Sequence, residues 1–305
     1  MQLRRVLKTL AMMAARMASM LGVAIFAHAQ SALIVPYNSM DVASIGAVNF
    51  FAASDSQHGV ELWRSDGTDS GTYMLADIWP GQPASYPRNF VAAYGEVFFI
   101  ADDGVHGSEL WCTDGTPEGT RLVSDINPGA GSSSPQQLTI YNGYLYFLAS
   151  NGGGPPALWQ SDGTADGTIL VSNLGGSAPL QVSVINARLQ ILTTDTTVGY
   201  QTWISDGTAA GTLPASSPLL VSATVSWSPV TLTTSGTPLT NLGGYKIYFG
   251  ASPMALTSII DVPDPTVSSY VVPYLTPGTL YFAVTAYISG GPESDLSTVV
   301  GAALN

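Results

Sequence analysis

The side chains with which this chain could do chemistry are few, and they recur at regular intervals. Beyond residue 29 the histidines are His58 and His106, each just before a glycine, and the single cysteine is Cys112. A zinc site needs more ligands than these three residues supply, so the histidines read as loop residues first and as a metal pair second. The acidic pair Asp102 and Asp103, with Asp55 at an equivalent point upstream, offers oxygen ligands suited to calcium. No EF-hand-like spacing accompanies them, so solvated loop acids are the plainer reading and a calcium site the sharper one. Cys112 stands where other copies of its segment carry Arg64, Gln160 and Ile204. It reads as incidental, with intermolecular pairing as the alternative, since a lone cysteine has no intramolecular disulfide partner.

The elements that position these groups are repeats. Glu61-Leu62-Trp63-Arg64-Ser65-Asp66-Gly67-Thr68 returns as Glu109 to Thr116 around Trp111, as Ala157 to Thr164 around Trp159, and as Gln201 to Thr208 around Trp203, at a period of 44 to 48 residues. A second Gly-Thr follows each copy, at Gly71, Gly119, Gly167 and Gly211. Before each tryptophan lie two short apolar runs and after the first three of them a further one, rich in Val, Ile, Phe and Tyr and punctuated by Gly, Asn and Asp. That is the signature of strands joined by hairpins. Four strands per repeat describe a propeller blade.

Asp66, Asp114, Asp162 and Asp206, each followed by a glycine (Gly67, Gly115, Gly163, Gly207), have two readings. Aspartate bonds to backbone groups ahead of it and glycine takes positive φ freely, which makes a tight turn. Alternatively the aspartates bind a cation or substrate. Repetition in every copy favours the turn, because an active site is usually needed once. Trp63, Trp111, Trp159 and Trp203 read likewise as blade-packing residues before ligand platforms.

The tryptophan, the Asp-Gly-Thr step, the second Gly-Thr and Leu122-Val123-Ser124-Asp125-Ile126-Asn127-Pro128-Gly129 together resemble the ELWxxDGT repeat family of exported bacterial proteins. The turn is also similar to the Asp-box of sialidase propellers, where the motif is regarded as structural. The resemblance covers about residues 31 to 216 and implies a propeller-like fold and export, with no general activity. A sialidase-like site would need clustered arginines, whereas Arg64, Arg88, Arg121 and Arg188 come one per repeat at different repeat positions. The fourth copy departs most: Tyr200-Gln201-Thr202 replaces the Glu-Leu approach, and Pro214 interrupts its last strand. Ala32-Leu33-Ile34-Val35 looks like a blade's fourth strand without the other three. This predicts that the amino terminus pairs with the Trp203 segment and closes a four-bladed ring. The rival arrangement is an open arc that pairs with a second molecule.

Residues 217–305 follow a different pattern. Trp227 in Val225-Ser226-Trp227-Ser228-Pro229, and Tyr281 in the stretch from Leu275 to Tyr287, resemble the B strand and the E-to-F corner of a fibronectin type III domain. The resemblance places both aromatics in a sandwich core.

Residues 1–29 read as a secretory signal: Arg4, Arg5 and Lys8, then the apolar run Met17 to Phe26, then Ala27-His28-Ala29. No later segment is long and apolar enough to span a bilayer, which needs roughly 20 residues. The formal net charge is -12, and after Ala29 only Arg64, Arg88, Arg121, Arg188 and Lys246 are basic. Nucleic acid and anionic lipid are thereby disfavoured as partners, since both require clustered cations. The sequence thus predicts an all-β protein: a signal peptide (1–29), a four-repeat propeller-like domain (30–216) and a fibronectin type III-like β-sandwich (217–305). It has no catalytic residues and no cofactor other than the candidate calcium. The expected function is secreted or cell-surface binding or adhesion toward an extracellular protein or glycan. The alternatives are a glycan-acting propeller enzyme and a structural envelope or matrix component.

Overall fold

The computed structural model describes residues 35–197, 199–217, 219–232 and 236–305. The expected signal segment, and residues 32–34 of the expected closing strand, therefore lie outside the described residues. Nearly all of the regular structure is antiparallel β. Beside it stands one 3-10 turn at Leu174–Gly176, and no helix among the described residues is long and apolar enough to cross a membrane.

Each repeat is a four-stranded meander paired in chain order. The first holds β1 (Val35–Ile45), β2 (Val48–Ser54), β3 (Glu61–Ser65) and β4 (Tyr73–Ala76), and the second β5 (Arg88–Ala93), β6 (Glu96–Asp102), β7 (Ser108–Thr113) and β8 (Arg121–Ser124). The third holds β9 (Gln136–Tyr141), β10 (Tyr144–Ala149), β11 (Ala157–Ser161) and β12 (Ile169–Ser172), and the fourth β13 (Ala178–Ile185), β14 (Arg188–Asp195), β15 (Gly199–Ser205) and β16 (Leu213–Pro214). Register is shared: the repeat tryptophans sit opposite Phe51, Phe99, Phe147 and Ile191.

The second strands of the first three repeats carry unbroken apolar runs because both of their faces are covered. Phe50, Leu62 and Leu75 of the first sheet pack with Phe90, Val97 and Phe99 of the second. From the opposite face of the second sheet, Phe98, Leu110 and Cys112 pack with Leu145, Phe147 and Ala149 of the third. Full burial of each such side chain contributes about 1.5–3 kcal/mol, so the first three repeats are held by these shared cores as well as by their own ladders.

Two expectations about the repeat ends are corrected. Val35, the described residue of the expected closing strand, pairs with Ser54 of the first repeat and not with the Trp203 segment. The fourth sheet instead has its own outer strand, with Leu213 opposite Ile204 and Pro214 opposite Trp203. Proline lacks only a donor, and an edge strand tolerates that loss.

The carboxy-terminal module has two sheets. One pairs β17 (Val221–Ser226) with β20 (Ser269–Leu275). The other orders β19 (Ser258–Val262), β18 (Leu242–Gly250), β21 (Gly278–Ile288) and β22 (Val300–Leu304). Tyr245, Ile247, Phe249, Val272, Leu275 and Phe282 form the core between them, and Trp227 packs against it with its ring centroid 5.0 Å from that of Tyr245. Tyr281 is a correction: Leu280, Phe282 and Val284 supply the core, and strand alternation puts Tyr281 on the other face. There its ring lies over Gly301, where a Cβ would come within 3.0 Å.

Residue 216 does not separate compact units. One unit ends at Leu170, and the other comprises Tyr141–Gly143 with Val171–Asn305, so the fourth repeat groups with the sandwich. The hairpin turn between β13 and β14 explains this. Ala187 joins the sandwich core cluster, Arg188 Nε donates to Tyr274 O at 3.3 Å, and Tyr270 OH donates to Asn186 Oδ1 at 3.1 Å.

Candidate binding face

In each repeat, the turn from third to fourth strand is the same closed knot. Asp66 Oδ1 accepts from the backbone N–H of Thr68 at 2.9 Å and from its hydroxyl at 2.7 Å. Gly71 N–H donates to Thr68 Oγ1 at 3.0 Å, and Thr72 Oγ1 donates to Thr68 O at 2.7 Å. The same bonds recur around Asp114, Asp162 and Asp206. The first glycine of each knot has φ between 88° and 96°, as the turn demands. The second glycine has a different cause, which the sequence reading missed: at Gly71, Gly119, Gly167 and Gly211 a Cβ would collide with the knot's own aspartate carboxylate. The threonine's hydroxyl and amide hold the carboxyls of Asp66, Asp114 and Asp162 below the usual range. In each of the four knots the aspartate Oδ1 is engaged within its own turn.

Also missed was the glutamate ahead of the tryptophan. Glu61 and Glu109 are fully buried. Glu61 accepts from Ile78 N–H (2.9 Å), Ser85 N–H (2.9 Å) and Ser85 Oγ (2.5 Å). Glu109 accepts from Ile126 N–H (3.2 Å), Ser133 N–H (2.7 Å) and Ser133 Oγ. Each carboxylate thus staples the connector that leads into the next repeat. Burial raises both pKa values, against the opposing pull of the serine hydrogen bonds.

Two of the scattered arginines share one task. Arg64 on β3 faces Tyr73 on β4, whereas in the second repeat Cys112 faces Arg121, so the guanidinium has moved to the cross-strand partner. Arg64 Nη1 donates to Gly115 O at 3.4 Å and Arg121 Nη2 to Gly163 O at 3.2 Å, each gripping the next repeat's knot. Cys112 is fully buried, and burial pushes its thiol up to about 12. The alternative of intermolecular pairing is therefore corrected: the sulfur is neither accessible nor ionised.

In a meander, the turn from second to third strand and the connector to the next repeat leave from the end opposite the knots. The calcium candidates lie there, turned onto their own loops. Asp55 accepts from the N–H groups of Gln57 and His58, and the His58 ring lies 3.0 Å away. Asp103 repeats this with Val105 and His106, the ring at 2.7 Å, and Asp102 accepts from Gly104 N–H at 2.7 Å. The neighbouring carboxylate raises both histidine pKa values. Among the described residues no three His, Cys, Asp or Glu side chains gather as a metal site requires. The connectors pack on the hairpin loops: Trp79 occupies the space a Cβ on Gly104 would need, and Asn127 does so at Gly152.

Exposed aromatics stand at this same end. Tyr37 at the start of β1 and Tyr86 in the first connector are 49% and 48% exposed, with ring centroids 5.6 Å apart at 58°. Beside them Arg88 donates to Ser108 Oγ at 2.7 Å and to Tyr86 O at 3.3 Å. Sequence reading passed over these residues because neither tyrosine belongs to the repeat motif.

No protein-family model matches the chain, and no curated protein does. Solved structures are similar at low identity. The extracellular domain of a one-component system from B. thetaiotaomicron is 10% identical, with 85% of this chain and 43% of that one covered at a TM-score of 0.35. The extracellular domain of a hybrid two-component system from B. thetaiotaomicron is 8% identical, with 88% and 45% covered at 0.34. An engineered GH43 glycoside hydrolase with endo-xylanase and exo-arabinofuranosidase activity is 14% identical, with 88% and 52% covered at 0.28. The chain spans less than half of the length of the two extracellular domains and about half of the hydrolase.

Proposed function

We propose that the chain is an exported, non-enzymatic protein of the cell surface or extracellular space that binds a glycan or protein ligand. In this reading a propeller-like array of four ELWxxDGT-type repeats presents its connector end, and a fibronectin type III-like sandwich serves as spacer or second contact. The pairing of β17 with β20, and the order β19, β18, β21, β22, support the resemblance of the sandwich. One observation carries the functional reading. The motif aspartates close on their own turns, while at the opposite end Tyr86 stands exposed on a connector held by buried Glu61, with its ring against that of exposed Tyr37. Variable groups on a rigid scaffold are where recognition is commonly built.

The test is fractionation of expressing cells followed by sedimentation of the purified protein with cell envelopes and extracellular matrix. Export with saturable co-sedimentation is the expected result, and protease treatment of the envelopes separates a protein ligand from a glycan. A protein retained in the cytoplasm, or one that sediments with neither fraction, overturns the reading.

A further inference from the structure

We propose that Tyr37 and Tyr86, flanked by Arg88 and Asp102, form a binding site for an uncharged sugar unit of an extracellular polysaccharide. This rests on the reading of the chain as an exported binding protein and names the ligand class.

The first support is backbone strain. Tyr86 has φ +48°, in the left-handed region where a bulky side chain is an outlier. The fold imposes this conformation, because the equivalent connector position, Ser134, has φ +49°. The two amides are held alike, Tyr86 N–H on Val60 O at 3.1 Å and Ser134 N–H on Ser108 O at 3.0 Å. One connector meets the requirement with a small polar residue. The other places there a large ring that is about half exposed, so the side chain is not repaid by burial. Tyr94, in a hairpin turn at the knot end, is a like outlier at φ +56° and is 50% exposed, so strain marks Tyr86 only together with the Tyr37 ring and Arg88 beside it.

The second support is the chemistry of the patch. Two tyrosine faces inclined at 58° offer amphipathic contact area with little side-chain freedom to lose. Arg88 supplies planar donors, and the carboxylates of Asp102 and Asp41 lie near enough to influence it electrostatically. Donors and acceptors side by side suit hydroxyl groups, each of which both donates and accepts. Because the guanidinium charge is already opposed by carboxylates on a strongly anionic chain, an acidic sugar is disfavoured. Two ring faces fall far short of the roughly 800 Å² per partner of a stable protein interface, which favours a small rigid ligand.

The test is native gel electrophoresis of the full chain through gels containing xylan, mannan, laminarin or starch, with polygalacturonate as the acidic comparison. The variants are Tyr86→Asn, Tyr37→Ala and, at the knot end, Tyr94→Ser. Asparagine tolerates positive φ, so Tyr86→Asn should melt at or above the wild-type temperature. Retardation by at least one neutral polysaccharide is expected, with affinity lowered at least tenfold by Tyr86→Asn and Tyr37→Ala and unchanged by Tyr94→Ser. Retardation by polygalacturonate alone overturns the ligand class and leaves the binding reading intact. Equal retardation of wild type and Tyr86→Asn, or loss on Tyr94→Ser, overturns the site. No retardation by any polysaccharide overturns the sugar assignment, while envelope binding that survives alongside it would leave a protein ligand.

Discussion

The second and fourth repeats carry the same turn on the same meander and differ in what holds the segments around it. Their knots match bond for bond: Thr116 on Asp114 and Thr208 on Asp206 donate at 2.7 Å each, and the glycines Gly119 and Gly211 are crowded alike. Away from the knot, Glu109 is sealed under a connector that it holds by three hydrogen bonds, whereas Gln201 is half-buried at the same motif position. The fourth repeat is docked on the sandwich through Ala187 and Arg188 of its first hairpin turn. The knot is local chemistry that survives any neighbourhood. The glutamate staple is tertiary chemistry that exists only where the connector is long enough to reach back over it.

The largest expected effect follows from that staple. Glu109→Ala would strand buried donors on Ile126 and Ser133, and losing a buried charged acceptor of this kind costs about 3–5 kcal/mol. Gln201→Ala should cost less than about 1 kcal/mol, since the half-exposed amide can be replaced by water. Denaturant unfolding of the two variants, read as changes in midpoint at constant slope, checks the contrast. Equal losses would mean that the fourth repeat holds its connector by the same device and that the comparison is wrong.

A middle-sized effect tests what the repeats share. Gly119→Ala and Gly211→Ala should each cost about 1–3 kcal/mol, because the new methyl overlaps an aspartate carboxylate. Asp114→Ala by itself should cost about 1 kcal/mol through the lost turn bonds. In the Asp114→Ala background the glycine penalty should largely vanish, so a double-mutant cycle would give a coupling that offsets most of the Gly119→Ala loss. Additive penalties would show that the second glycine answers to something other than the carboxylate.

How much of this was legible in the sequence follows from how local each interaction is. The Asp-Gly-Thr turn involves a handful of neighbouring residues, so its chemistry could be read from residue types. The strand runs of the first three repeats were legible too, since both faces of their second strands are buried and the apolar stretches at 50–53, 97–101 and 145–149 are unbroken. Glu61 and Glu109 act on serines 24 residues away, Ser85 and Ser133. A signal was present: the third repeat has Ala157 in place of the glutamate, and the spacing to the next tryptophan shortens from 48 to 44 residues. The sequence reading also scored the arginines as scattered because it aligned positions along the chain, whereas β3–β4 pairing makes Arg64 and Arg121 occupants of facing sites. Tyr281 was placed by analogy with a corner motif, and the parity of β21 decided otherwise.

The smallest expected effect is a pH dependence whose limb above pH 5 lies in the first two repeats. Glu61 and Glu109 have folded pKa values raised above their ordinary 4.5, and His58 and His106 above their ordinary 6.5. For a raised group the folded state binds protons more readily than the unfolded chain, so stability is fully present below the unfolded pKa and is lost as pH climbs through the folded one. The glutamates therefore lose their contribution on rising from about 4.5 and the histidines on rising from about 6.5. Asp55, Asp66, Asp103, Asp114 and Asp162 are lowered from 3.8, so their contribution is present above that value and lost as pH falls through the depressed pKa. The melting temperature should fall gently from about pH 5 to pH 8, and fall again below about pH 3.8. The histidines are solvent-accessible, so replacing both by glutamine should change the limb above pH 6.5 by only about 1–2 °C. Flattening of that limb with the lower one intact assigns it to the Asp-x-x-His hairpins of repeats one and two. A limb that keeps its slope without the histidines would place the whole dependence on the buried glutamates, and with it the contrast between the second repeat and the fourth.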